Sequence, residues 1–222
     1  MPFPCSDSQM IDNRTIHLAS KTIDDALTVR NNGDMLSRDQ AIGLLAEHGR
    51  GAGWTKHCFA VADLALKIGS LLENRLSIDR RFLWSAALLH DIGRCVTHDP
   101  ILHGVEGYKL LTSLGHQQEA AVCASHILFG LKASEAVQFG LPARDFLPHK
   151  IEERLVPLAD FMIEYDQPTT LDNRFASLRK RNAGNDFFLD KLDRAQNAAE
   201  SLMTQLNREI GVPIEEALML NG

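Results

Sequence analysis

The segment Leu88-Leu89-His90-Asp91-Ile92-Gly93-Arg94 places an imidazole beside a carboxylate at the inner end of a strongly apolar run. Taking both groups out of water without partners is costly, so a pair in that position needs a counterpart. A borderline nitrogen donor and a hard oxygen donor together suit a divalent cation. A second pair, His98-Asp99, precedes Pro100 in a polar stretch, where the restricted backbone predicts a loop of solvated residues. The chain has nine histidines, and several fall in or beside apolar stretches where a solvated face would not put them. His116 reads as a cap or surface residue, while His17, His48 and His149 have no motif around them.

The elements that must position such groups read as helices throughout. Apolar residues recur at three and four, and alternating runs rich in Val or Ile are missing, so an all-α fold is expected. Ile16, Ala19, Ile23, Ala26 and Leu27 form a first amphipathic stripe that stops at Asn31-Asn32-Gly33, which predicts an N-terminal helical extension over residues 1–35. Ser37 and Gln40 resemble a capping box, and the main domain is expected over 36–222. Further helices are predicted from Thr55 to Leu72, Arg81 to Ile92, Gly104 to Leu114, Gln117 to Leu128, Ile151 to Tyr165 and Asp186 to Ile210. The last is long enough to pack on the bundle or on a second copy, so a homo-oligomer is allowed.

With 222 residues, 45% hydrophobic and 23% charged, the chain has the composition of an ordinary globular domain with an appendage. Its 23 basic and 29 acidic residues leave a net charge of −6, so nucleic acid and anionic membranes are not expected partners. No long apolar run suggests a membrane span, and the first residues lack the pattern of a secretory signal, so a cytoplasmic location is expected. Cys5, Cys58, Cys95 and Cys123 form no CxxC pair, which removes the usual zinc-knuckle and dithiol readings.

These residues resemble the HD-domain superfamily of metal-dependent phosphohydrolases, and within it the HDIG branch. In that family a histidine on one helix is followed by a His-Asp pair closing the next apolar helix, often by further histidines, and by an aspartate on a late helix. His57 in Lys56-His57-Cys58-Phe59 matches the first, His90-Asp91 the pair, and Asp160 in Pro157-Leu158-Ala159-Asp160-Phe161 the last. His103 and His126 are similar to the extra histidines of members that hold two metals. The resemblance covers residues 36–165 and implies a helical bundle with His57, His90, Asp91, His103, His126 and Asp160 as ligands. The implied cofactors are two divalent cations, whether Mn, Fe, Co, Ni, Mg or Zn.

Phosphate also needs cations from the protein. Arg94 and Lys150 are the candidates for gripping phosphoryl oxygens, Arg as a planar fork and Lys as a point charge, with Asp91 as the carboxylate bridging the metals. Trp54 and Tyr108 are candidates to line a pocket. The expected activity is hydrolysis of a phosphoester in a nucleotide or other small phosphorylated molecule by a metal-activated hydroxide. The same six ligands also serve mixed-valent di-iron oxygenases among HD-domain relatives, and a non-catalytic HD signalling module is the third alternative.

Overall fold

The computed structural model describes residues 36–220, so the helix expected within residues 1–35 lies outside them. Chain entry is set locally. Ser37 accepts a hydrogen bond from the Gln40 backbone N–H at 3.2 Å, and the Gln40 side chain accepts one from the Ser37 N–H at 2.8 Å. This box opens α1 (Arg38–Gly49), which ends where Arg50 turns left-handed and Gly51 follows at φ 76°.

Helix α2 (Trp54–Leu72) buries Cys58, Val61, Ala62, Ala65, Ile68 and Leu72, the stripe expected from the spacing. Helix α3 (Arg80–Leu89) is capped by Asp79, whose carboxylate accepts from the Phe82 N–H at 2.9 Å, and every residue from Phe82 to Leu89 is buried. A helix apolar on all sides must be central. Helix α3 accordingly packs against α1, α2, α5 (Gln117–Ser125) and α7 (Ile151–Phe161). Helix α4 (Leu102–Ser113) lies against α5. Helix α6 is Ala133–Gln138, and a hairpin of β1 (Ile163–Glu164) and β2 (Gln167–Pro168) follows α7. The chain continues through α8 (Leu171–Arg181), α9 (Asp186–Ile210) and α10 (Ile214–Leu220). The architecture is all-α, with that hairpin as the sole sheet among the described residues.

Three of the expected helices stop early, and each stop serves the site. The run predicted to Ile92 ends at Leu89, because Asp91 leaves helical geometry (φ −102°, ψ 10°) and Ile92–Cys95 tightens into a 3-10 turn. The run predicted to Leu128 ends at Ser125, and Leu128 is left-handed at φ 48°. The run predicted to Tyr165 ends at Phe161, and Tyr165 turns the hairpin at φ 58°. Backbone reversal at a non-glycine residue costs energy that surrounding structure must offset.

Helices α4 and α5 reach the His-Asp pair through glycine. A Cβ on Gly93 would lie 1.9 Å from the His103 carbonyl oxygen and 2.4 Å from the Gly107 nitrogen. One on Gly104 would lie 2.4 Å from the Cys123 carbonyl oxygen. The 3-10 turn, α4 and α5 therefore touch backbone to backbone, which only a residue without a side chain permits. Long α9 buries Phe188, Leu192, Ala195, Ala199, Leu202 and Leu206 against the bundle. No helix among the described residues is long and apolar enough to cross a membrane.

Candidate metal centre

Six side chains from five places in the chain converge at the centre of the bundle. His57 lies in the first turn of α2, His90 and Asp91 follow α3, His103 opens α4, His126 ends α5, and Asp160 sits in the last turn of α7. The four histidines and Asp91 are buried, and His90 has no exposed surface at all.

All four imidazoles are held the same way. Their Nδ1 atoms contact backbone carbonyls: His57 that of Tyr165 at 2.7 Å, His90 that of Ala87 at 2.6 Å, His103 that of Asp99 at 2.7 Å and His126 that of Cys123 at 2.8 Å. A carbonyl only accepts, so each Nδ1 carries the hydrogen and donates it, leaving each Nε2 with a lone pair aimed inward. Metal-ligating histidines are oriented in this manner, by a hydrogen bond from the other ring nitrogen.

What these nitrogens face is more electron density. His57 Nε2 is 2.9 Å from Asp160 Oδ1, and His103 Nε2 is 2.9 Å from Asp91 Oδ1. The Nε2 atoms of His103 and His126 approach to 3.2 Å. His90 Nε2, buried, has no hydrogen-bond partner and points between Asp91 Oδ2 at 3.7 Å and Asp160 Oδ1 at 3.9 Å. Buried polar atoms nearly always have a partner. Apart from Arg94, which donates to Asp91 Oδ2, four lone-pair nitrogens and two carboxylates face one another, and they repel unless cations or protons lie among them. The donor set thus fits divalent metal, with nitrogen and oxygen ligands and no thiolate.

Asp91 divides the cluster into two halves. Its Oδ2 faces His57 and His90, on the side of Asp160, while Oδ1 faces His103 and His126. The ligand atoms of His57, His90 and Asp160 lie within 4.8 Å of one another, as do those of His90, Asp91 and His126. Proton equilibria follow from this crowding. Burial and neighbouring imidazoles hold His90 down at about 4, against the pull of Asp91, so its ring is neutral and ready to ligate. Burial also pulls His57 down, but the hydrogen bond to Asp160 that Nε2 makes once it takes up a proton, together with the two carboxylates, outweighs it and raises the group above its ordinary value. Burial would lift Asp91 and Asp160, yet the facing imidazoles more than offset it and hold both below the usual carboxylate range.

A family model of the HD domain matches residues 54–161, a stretch that begins three residues before His57 and ends one after Asp160. A protein of Methanocaldococcus jannaschii described as uncharacterized is 36% identical over 128 residues, which cover 57% of this chain and 75% of that protein. The chain belongs to the HD-domain family. Two tRNA (cytidine(56)-2'-O)-methyltransferases, from Picrophilus torridus and Thermoplasma volcanium, each share 30% identity with it, over 117 and 141 residues. Those matches cover 52% and 63% of this chain but only 34% and 40% of the methyltransferases. No solved structure gives a significant match. Membership in the HD-domain family implies divalent metal binding, and the HD domain is typical of metal-dependent hydrolases.

Within this HD domain, the other residues singled out from sequence divide. Arg94 donates through Nε to Asp91 Oδ2 and lines both cavities that reach the ligands. Trp54 lines the larger, a cleft of about 420 Å³ together with His57, Asp91 and Arg94. Tyr108 instead packs edge-on against Phe146. Lys150 requires correction: it stands at the N-terminal end of α7, its Nζ 5.6 Å from the Phe82 ring centroid. Asp160 is ten residues further along the same helix, about 15 Å away at 1.5 Å per residue, so Lys150 cannot reach the phosphate its neighbour would meet.

Two participants had no signal in the sequence. The Tyr165 carbonyl orients His57 from the turn of the hairpin, and a backbone acceptor leaves no trace in residue type. Arg174 on α8 lines both cavities. Only Leu171, Arg174 and Phe175 of that helix are buried, too short an apolar stripe for periodicity to reveal.

Proposed function

We propose that this HD-domain protein is a metal-dependent phosphohydrolase that cleaves a phosphomonoester of a nucleotide or similar small molecule, releasing an alcohol and inorganic phosphate. The observation that carries this reading is the inward convergence of four Nε2 atoms and two carboxylates, to which Arg94 adds a single donor at Asp91 Oδ2. His57, His90, Asp160 and Asp91 Oδ2 would hold one cation, and His103, His126 and Asp91 Oδ1 a second. Such a pair supplies a water acidified to near-neutral pKa and a Lewis-acid grip on phosphoryl oxygen.

The chain's own groups do the rest. Carbonyls of Tyr165, Ala87, Asp99 and Cys123 fix the rings, so no reorganisation is needed when substrate arrives. Arg94 spends its Nε on Asp91, which leaves its two terminal nitrogens to face a phosphoryl oxygen in the cleft. The indole of Trp54 offers an apolar wall for the organic part of the substrate, and a cleft of about 420 Å³ falls in the size range of small-ligand sites. A net charge of −6 argues for a small substrate over tRNA, despite the names of the methyltransferase relatives. The location consistent with such a substrate is the cytoplasm.

The test is to load the purified protein with Mn, Co, Ni or Fe, screen phosphomonoesters and nucleotides, and compare wild type with His90→Ala. Phosphate release by wild type and its loss in the variant are expected. Equal rates in the two proteins, or oxygen uptake by an iron-loaded form without phosphate release, would overturn the reading.

A further inference from the structure

Arg174 is 9% exposed and carries five N–H donors, yet its Nε is buried with no hydrogen-bond partner. Its nearest acidic oxygens are too far for hydrogen bonds: Asp160 Oδ1 lies 3.9 Å from Nη2, and Glu164 Oε1 lies 3.8 Å from Nη1. A buried guanidinium is ordinarily anchored by several bonds, and this one is held in place by its neighbours instead. Phe175 is fully buried, with its ring 4.6 Å from that of Phe161, one residue after Asp160. Thr170 caps the helix by accepting from the Asn173 N–H. Arg174 lines both the 420 Å³ cleft and the small cavity of about 70 Å³ behind the ligands, and so does Arg94.

We propose that Arg174 is a second phosphoryl-gripping residue, contributed by a helix beyond the stretch matched by the family model, so that Arg94 and Arg174 hold the substrate phosphate between them. The inference rests on the phosphohydrolase reading and extends it. Charge balance supports it: cations among the ligands neutralise Asp160, the carboxylate facing Nη2, and an anion in the cleft then becomes the natural partner for the guanidinium. Its planar fork suits the tetrahedral oxygens of phosphate. Arg179, five residues on, lines neither cavity and is paired with Asp193 at 2.7 Å, which makes it a control.

Inorganic phosphate is the probe. Its affinity for the Mn-loaded full chain is measured by calorimetry, and metal content and thermal stability are recorded alongside. Arg174→Gln is expected to weaken phosphate binding at least tenfold with Mn content unchanged, Arg174→Lys to weaken it less, and Arg179→Gln to stay within twofold of wild type. Glu164→Gln removes a competing carboxylate and is expected to tighten binding severalfold, which keeps the test decisive if Arg174→Gln fails to fold. Unchanged phosphate affinity in Arg174→Gln or Arg174→Lys, or loss of Mn in Arg174→Gln, would overturn the proposal and assign Arg174 to supporting Asp160. If the wild type itself binds no phosphate, the phosphohydrolase reading falls first and this inference with it.

Discussion

The two halves of the centre share Asp91 but are built differently. The half formed by His57, His90 and Asp160 draws on three helices, consecutive α2 and α3 and the distant α7, and opens through His57 on the larger cleft. The half formed by His103 and His126 comes from adjacent α4 and α5, borders only the small rear cavity, and is positioned by glycines that let backbones touch. One half is shaped for access and the other for fixed geometry. The rear half depends on backbone contacts that leave no room for a side chain.

The largest effect should come from the residue that both halves use. Asp91→Ala removes the carboxylate that would bridge the two proposed cations and leaves Arg94 without its partner, so bound metal and about 10³-fold or more of any phosphatase rate should be lost, as metal analysis beside the assay would register. If Asp91→Ala keeps one cation, the halves are more independent than a shared carboxylate allows. Gly93→Ala comes next: its new methyl would meet the His103 carbonyl and must push α4 away. A destabilisation of about 1–3 kcal/mol in denaturant unfolding is expected, with selective loss of the rear cation. His126→Ala should cost the rear cation and lower activity about 10–100-fold while the front cation stays, a split that metal counting resolves.

A separate effect concerns protons in the metal-free chain. His90 has its folded pKa depressed to about 4 from an ordinary 6.5, so its neutral ring favours the native state. That contribution is fully present above pH 6.5 and is lost as the pH falls through 4, worth roughly 3 kcal/mol over the window at 1.36 kcal/mol per unit. His57 has the opposite sign: its folded pKa is raised, so its contribution is present below 6.5 and fades as the pH rises past the folded value. Thermal melts of metal-free protein between pH 4 and 8 should show His90→Asn removing part of the acid-side fall and His57→Asn removing part of the loss at high pH. Parallel pH profiles in the two variants would contradict the opposite shifts of the two groups.

How much of this could be read from residue order differs along the same lines. The six converging residues, the proposed ligands, could be singled out because each sits at the end or first turn of a helix, beside a recognisable local pattern. The bundle was legible because α2, α3 and α9 carry long apolar stripes. Helix α8 was not, since it buries just two apolar residues among charged neighbours, and so Arg174 stayed hidden. Lys150 misled for the converse reason: closeness in sequence to the Asp160 helix was read as closeness to the site, but a helix separates its two ends in space. The early ends of α3, α5 and α7 depend on tertiary contacts, namely Gly93 against α4 and the hairpin that carries Tyr165 over His57.

A crystal structure of protein grown with Mn, with anomalous scattering recorded at the metal edge, tests the central claim most directly. Two peaks are predicted, one among His57, His90 and Asp160 and the other beside His103 and His126, with the Asp91 carboxylate between them. No anomalous peak at the cluster, with its imidazoles and carboxylates sharing protons instead, would contradict the account.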